Sequence, residues 1–235
     1  MRFLLPVGNN QLKQAKRIAP HEGRSPSYTS FSWVNNQLYG DQLALKVRPA
    51  YYDSLDSGSG HIVNSSLSMA EFDIRIGKDS WYMTQFNLFK VESVHSQTTG
   101  LAEDSGTTWN LRAAWVQLNS ANEKTVFSIQ GDYGTSFKTM DKLLISAFIG
   151  GGVQDKYKEY SNIFVRAGLT MHYNVNDRLR FRFDATHKEN INALIAGQNI
   201  YSLNGRYQLS LNQDIRLYYQ DDANREFGLS YGYYW

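Results

Sequence analysis

The stretch Arg225-Glu226-Phe227-Gly228-Leu229-Ser230-Tyr231-Gly232-Tyr233-Tyr234-Trp235 decides the fold. Phe227, Leu229, Tyr231, Tyr233 and Trp235 fall on one face, and Glu226, Gly228, Ser230 and Gly232 on the other. A repeat of two is the mark of a strand with one apolar and one polar side. A bare aromatic strand at a chain end frays in water. This one therefore needs an apolar medium or a partner surface.

The same period runs through nearly everything after Ser27. In 178–187, Leu179, Phe181, Phe183 and Ala185 alternate with Arg178, Arg180, Arg182, Asp184 and Thr186. In 199–212, Tyr201, Leu203, Tyr207, Leu209 and Leu211 oppose Ser202, Asn204, Arg206, Gln208 and Ser210. In 160–173, Ile163, Val165, Ala167, Leu169 and Met171 oppose Arg166, Gly168, Thr170 and His172. The pattern predicts strands at 27–34, 42–51, 66–77, 81–94, 107–119, 124–133, 142–152, 160–173, 178–187, 199–212, 214–220 and 225–235. Turn residues punctuate them, as at Asn35-Asn36, Gly77-Lys78-Asp79 and Asp221-Asp222-Ala223-Asn224. Residues 1–24 do not alternate and read as an arm or linker, periplasmic in a barrel of this kind, and 25–235 as one all-β domain.

Alternation alone does not say which face is inside, because a soluble sandwich has the same pattern. Three features favour an antiparallel transmembrane β-barrel of about 12 strands. Several apolar faces run as long as a tilted membrane strand requires. Trp and Tyr stand at their ends, as in an aromatic belt. Strands and turns together use up the length of the chain. With 20% charged residues and a mean hydropathy of −0.48, a helical membrane protein is excluded, but a barrel is not. The fold implies the bacterial outer membrane, with its lipids and lipopolysaccharide as surroundings. The closing strand, through Phe227, Leu229, Tyr231, Tyr233 and Trp235, then becomes the assembly signal for the barrel-assembly machinery. A net charge of +2, with basic residues spread along the chain, gives no case for nucleic acid.

An even strand count places both chain ends on the periplasmic side. The connections Tyr52–His61, Ser96–Gly106 and Gly134–Asp141 then read as long periplasmic turns, which suit contact with a periplasmic domain or protein.

Pro20-His21 and Arg48-Pro49-Ala50-Tyr51-Tyr52-Asp53 carry a family resemblance. They resemble the barrel half of a proteobacterial family that joins an Lnb-type N-terminal periplasmic domain to a C-terminal outer-membrane barrel. The matching positions are His21, Arg48, Pro49, Ala50, Tyr51 and Asp53, and Thr108-Trp109 stands near the family's Ser-Trp position. Tyr52 departs from the family, which often has His there. The resemblance implies a barrel that works with a periplasmic module, and places any enzymatic activity in that module. On physical grounds Pro49 marks a bend or strand end. Tyr51 and Tyr52 then sit at the membrane interface, and Asp53 opens a turn.

Barrel lipid hydrolases place His-x-Ser on one strand, since i and i+2 point the same way. None of the five histidines is followed by Ser at that spacing, and Asp-x-His is also missing. Glu71 and Asp73 share a face, but Arg75 follows on it and neutralises them. His172 faces the lumen as a filler. No catalytic residues, metal site or cofactor are expected.

What remains is the polar face: Lys46, Arg48, Glu71, Asp73, Arg75, Arg112, Arg166, Arg180, Arg182, Asp184 and Arg206, with Arg216 and Glu226. These charges either pair across a narrow lumen and fill it, or line an anion path. Three functions stay open. The first is a non-enzymatic anchor or scaffold for a periplasmic domain or partner. The second is a narrow anion-preferring pore with an Arg-lined lumen. The third is an outer-membrane lipid-modifying enzyme.

Overall fold

The computed structural model describes residues 23–56, 62–78, 80–95, 106–121, 124–158, 160–191 and 197–235. His21 and most of the arm lie outside these residues. The elements are β1 (Tyr28–Asn36), β2 (Gly40–Arg48), β3 (Ala50–Tyr52), β4 (Ser66–Ile76), β5 (Trp81–Val94), β6 (Thr107–Gln117), β7 (Thr125–Met140), β8 (Leu143–Gln154), β9 (Ile163–Asn174), β10 (Leu179–Asn190), β11 (Gln198–Ser210), β12 (Gln213–Asp221) and β13 (Arg225–Tyr234). Apart from β2 and β3, which both pair with β4 and not with each other, each strand pairs antiparallel with its sequence neighbours, and β1 pairs with β13 from Tyr28↔Tyr234 to Asn36↔Glu226. The sheet therefore closes on itself.

Pro49 explains why there are thirteen segments in a twelve-stranded wall. It has no N–H to give to the ladder. Tyr51 takes a left-handed φ of 77°, which turns the backbone. Both β2 and β3 pair with β4, so they are two halves of one wall position.

Residues facing outward are apolar. Trp81, Ile149, Tyr133 and Phe31 are among the most exposed, while Arg48, His172 and Asp214 are sealed inside. This inverts a soluble core, and only a membrane makes such a surface stable. The molecule is a transmembrane β-barrel. Phe31, Trp33, Leu229, Tyr231, Tyr233 and Trp235 form part of the outer wall, on the face read from the sequence. No helix is long and apolar enough to cross a membrane.

Two sequence expectations are corrected. Gly134–Asp141 is not a long turn, because β7 continues to Met140 and β8 starts at Leu143. Gly134, Thr135 and Ser136 look like turn residues, yet the period continues through them. Ser136 is buried against the Ser146 hydroxyl at 3.0 Å, while Tyr133 and Phe137 face out. The strand expected at 160–173 starts at Ile163. Tyr160 instead bridges to Tyr157 and packs with Leu118 and Val126 at the rim.

The barrel end that carries Tyr28 and Tyr234 is called the lower end below, and the opposite end the upper end.

Candidate functional site: a latched lumen

The lumen is organised in three tiers. At the lower end, the connection that follows β3 turns inward. Ser54, Leu55 and Asp56 are buried inside the barrel. The turn holds itself with short-range bonds: Asp53 N–H donates to Asp56 Oδ2 at 2.9 Å, and Leu55 N–H to Asp53 Oδ1 at 3.0 Å.

Two arginines then bridge both of its carboxylates. Arg48 donates through Nη1 to Asp53 Oδ2 at 2.8 Å and through Nη2 to Asp56 Oδ2 at 2.7 Å. Arg216 donates through Nη2 to Asp56 Oδ1 at 2.8 Å, and its Nη1 bonds Asp53 Oδ2. Arg24, just before β1, adds a contact to Asp56 Oδ2 at 2.9 Å and lies over the Tyr234 ring. The planar fork of arginine suits this two-point grip.

Further arginines hold the backbone of the turn. Arg180 Nη1 donates to the Asp56 carbonyl at 2.8 Å, Arg206 Nη1 to the Leu55 carbonyl at 3.4 Å, and Arg182 Nη1 to the Ser54 hydroxyl at 2.8 Å. Tyr234 OH lies 2.7 Å from both Asp56 Oδ1 and Asp214 Oδ2. Asp214 also receives Arg206 Nε at 2.8 Å and Arg216 Nε at 3.0 Å. At the far side Asn174 Nδ2 donates to Asn64 Oδ1 at 3.1 Å. Described residues of the β3–β4 connection thus meet β10 at Asp56 and β9 at Asn64, inside the lower mouth.

Asp53 and Asp56 belong to this connection and not to a strand. Burial pushes the Asp53 carboxyl up, but Arg216 and Arg48 outweigh it and hold the group well below the usual carboxylate range. Asp56 is likewise lowered. Its burial and the neighbouring Asp53 charge both raise it, and Arg48, Arg24 and Arg216 overcome them.

Register explains the density of cations. Arg180 on β10 sits directly opposite Arg206 on β11, and Arg206 directly opposite Arg216 on β12. Three like charges in one cross-strand row repel unless an anion compensates them. Asp214 on β12 pairs with Arg206 and Arg216, and the acidic turn adds a second pair of carboxylates on Arg216.

The middle tier holds two adjoining cavities of about 370 Å³ and 440 Å³, which share Lys46, Leu55, Arg112 and Arg216 in their walls. The larger has six basic and four acidic side chains around it. Lys46 pairs with Glu71 at 3.2 Å, Arg182 with Glu92 at 2.6 Å and Asp184 at 2.8 Å, and Arg166 with Asp132. Arg112 differs: it donates to Asn87 Oδ1 at 2.6 Å and Gln85 Oε1 at 2.8 Å, both neutral. Higher up, Arg75 lies 3.4 Å from Glu226 and 3.7 Å from Asp73.

The upper tier is a crossing loop. Ser120, after β6, receives Asn36 Nδ2 on its carbonyl at 3.2 Å, and its N–H donates to Asp222 Oδ2 at 3.1 Å. Tyr39 OH donates to the Ala121 carbonyl at 2.8 Å. The β6–β7 connection therefore reaches the β1–β2 and β12–β13 connections across the mouth.

Lys46, Arg48, Glu71, Asp73, Arg75, Arg112, Arg166, Arg180, Arg182, Asp184 and Arg206 all belong to this lumen. Within the motif, Arg48 and Asp53 meet inside, Pro49 and Ala50 make the break, and Tyr51 faces outward. The sequence reading missed Tyr28, Asp56, Asp214 and Tyr234. Asp214 was within reach, since it shares a face with Arg216 at i+2. His172 is buried, and neither ring nitrogen has a hydrogen-bond partner among the described residues. Among those residues no group of three His, Asp or Glu side chains gathers for a metal.

The domain of unknown function DUF7840 matches residues 17–234. The chain belongs to the DUF7840 family. No curated protein matches it. Solved structures share the fold of this DUF7840 barrel at low identity. The KdgM porin in complex with disordered oligogalacturonate is 7% identical, with 88% of this chain and 99% of that one covered and a TM-score of 0.52. The NanC porin is 10% identical, with 87% and 97% covered and a TM-score of 0.52. The COG4313 outer membrane channel from Pseudomonas putida F1 is 10% identical, with 92% and 99% covered and a TM-score of 0.52. The DUF7840 barrel is thus porin-like in fold.

Proposed function

We propose that this DUF7840 barrel is a narrow outer-membrane pore that prefers small anions and is closed at rest by its β3–β4 turn. The observation that carries this reading is the lumenal row Arg180–Arg206–Arg216, continued upward by the net-positive larger cavity. A cation excess in a low-dielectric tube lowers the barrier for anions and raises it for cations. The fold shared with porins and a channel supports a conduit, and the KdgM porin's bound oligogalacturonate is itself anionic. By the even-strand rule the latched lower end faces the periplasm.

Single-channel recording in planar bilayers tests the proposal. Openings should favour chloride over potassium, and Arg112→Gln with Lys90→Gln, two cations in the wall of the larger cavity, should reduce that preference several-fold. Cation-selective openings would overturn it.

A second reading keeps the barrel as an anchor for a periplasmic module, such as an Lnb-type domain or a separate protein. The three tiers of bonded side chains favour it, because a filled lumen gives a rigid base. Deleting residues 1–22 would then leave insertion intact and abolish partner capture; capture that survives the deletion would sink this reading. Insertion in either case relies on membrane lipids, lipopolysaccharide and the barrel-assembly machinery as partners.

A further inference from the structure

Arg48 and Arg216 share the same two carboxylates. Each spans two different carboxylates, so four guanidinium contacts hold the Asp53–Asp56 pair. The two arginines come from β2 and β12, and strands β1 and β13 separate them in the wall. They approach the pair from two directions and form a clamp. The clamp is built into the interior: the Arg48 side chain and the Asp56 side chain are both fully enclosed.

The occupant is a turn at the start of a connection and not a strand. Strand side chains are fixed by the ladder, whereas a connection can leave without breaking a rung. The clamp also has donors that the turn does not saturate. Arg48 Nε and Arg24 Nη1 are buried and have no hydrogen-bond partner among the described residues. Around it the Arg180–Arg206–Arg216 row keeps Asp214 as its carboxylate partner whenever the turn is out, so three cations then face one anion. A site with surplus donors, paired two-point geometry and a detachable acidic occupant is a receptor for two linked carboxylates.

We propose that the Arg48–Arg216 clamp is a binding site for small dicarboxylates, and that the chain's own Asp53–Asp56 turn is its resting occupant. A dicarboxylate arriving through the lumen takes the four guanidinium contacts, and the turn is released from the lower mouth. The ligand replaces both charges at once. A monocarboxylate satisfies only one of them and leaves the row uncompensated. The site rests on the pore reading only for the route by which the ligand arrives.

The chain has no cysteine, so one introduced thiol reports on the turn alone. Leu55 is buried in the lumen at the tip of the turn. In the full-length Leu55→Cys barrel, maleimide labelling should be slow. Malonate, succinate or glutarate should speed it at least several-fold, and acetate at equal ionic strength should not. Arg216→Gln in that background should label fast without ligand and respond to none. Labelling that ignores all three dicarboxylates, or responds equally to acetate, overturns the site.

Calorimetry on the folded Asp53→Asn/Asp56→Asn barrel gives a second measurement, since its clamp lacks the competing charges. Succinate should bind it more tightly than it binds the wild type; equal or weaker binding overturns the site. A barrel that conducts anions but whose labelling ignores dicarboxylates keeps the pore and removes the site. A barrel that never conducts but labels on succinate keeps the site and removes the pore.

Discussion

Arg48 closes on Asp53 across the Pro49 break in its own wall position, Nη1 to Oδ2 at 2.8 Å, with the arginine side chain wholly enclosed. Six residues of sequence, Arg48 to Asp53, thus contain both the hinge and its fastening. Pro49 and the left-handed Tyr51 turn the chain, and the ion pair fixes where it goes.

Removing Arg48 takes one of the two clamping arginines from half-buried Asp53 and buried Asp56. Arg48→Ala should lower the stability of the folded barrel by about 3–5 kcal/mol, as for a broken buried pair. Arg48→Lys should recover only part, because an ammonium cannot bridge two acceptors in one plane. Urea unfolding in detergent micelles or vesicles, followed by the gel shift of the folded barrel, measures both.

The acid response follows from the two lowered carboxyls. Asp53 and Asp56 titrate lower in the folded barrel than in the unfolded chain. Their stabilisation is therefore complete above the ordinary carboxylate range, and it is lost as pH falls through the folded values. The unfolding midpoint should hold between neutral pH and about pH 5, then fall below about pH 4. In Asp53→Asn/Asp56→Asn this late acid loss should shrink.

Gly134 marks a place where the wall admits no side chain. A Cβ there would overlap the backbone carbonyl of Ala147 on β8, whereas at Gly131 the nearest atom is 3.6 Å away. Gly134→Ala should cost about 1–3 kcal/mol, the usual range for overpacking, and Gly131→Ala close to nothing. Folding yield into vesicles, compared between the two, distinguishes them.

The last strand has two separable roles. Tyr234→Phe removes the hydroxyl shared by Asp56 and Asp214 and should cost about 1–3 kcal/mol without changing insertion. Trp235→Phe loses one exposed bond to Thr29 Oγ1, at 3.0 Å, and should be tolerated. Deleting Tyr233 to Trp235 should block assembly, read as loss of the heat-modifiable band in outer-membrane fractions.

Much of this was open to a sequence reading, for a physical reason. Lipid-facing and lumen-facing residues alternate strictly, so strands such as 178–187 and 225–235 declare both faces. Gly134 misled because a residue without a side chain is equally at home in a turn and against a crowded neighbour. The lumenal arginines were legible singly. Their grouping was not, since the register Arg180↔Arg206↔Arg216 depends on two hairpin turns. Asp56 was unreadable for the same reason. Its partners Arg180, Arg216 and Tyr234 stand 124, 160 and 178 residues away, and only closure of the barrel brings them to it.

That closure has a consequence for how the chain matures. The cations of β10, β11 and β12 are made late, and part of the charge that balances them comes early, from the turn after β3. A half-built wall carries uncompensated charge at its open seam. Zipping β1 to β13 brings Tyr28 and Arg48 beside Arg216 and Tyr234, so sealing the cylinder and neutralising its interior are a single event. The finished barrel is in this sense its own proofreader: a chain that seals without its acidic turn inside is left with excess positive charge at the lower end of its lumen.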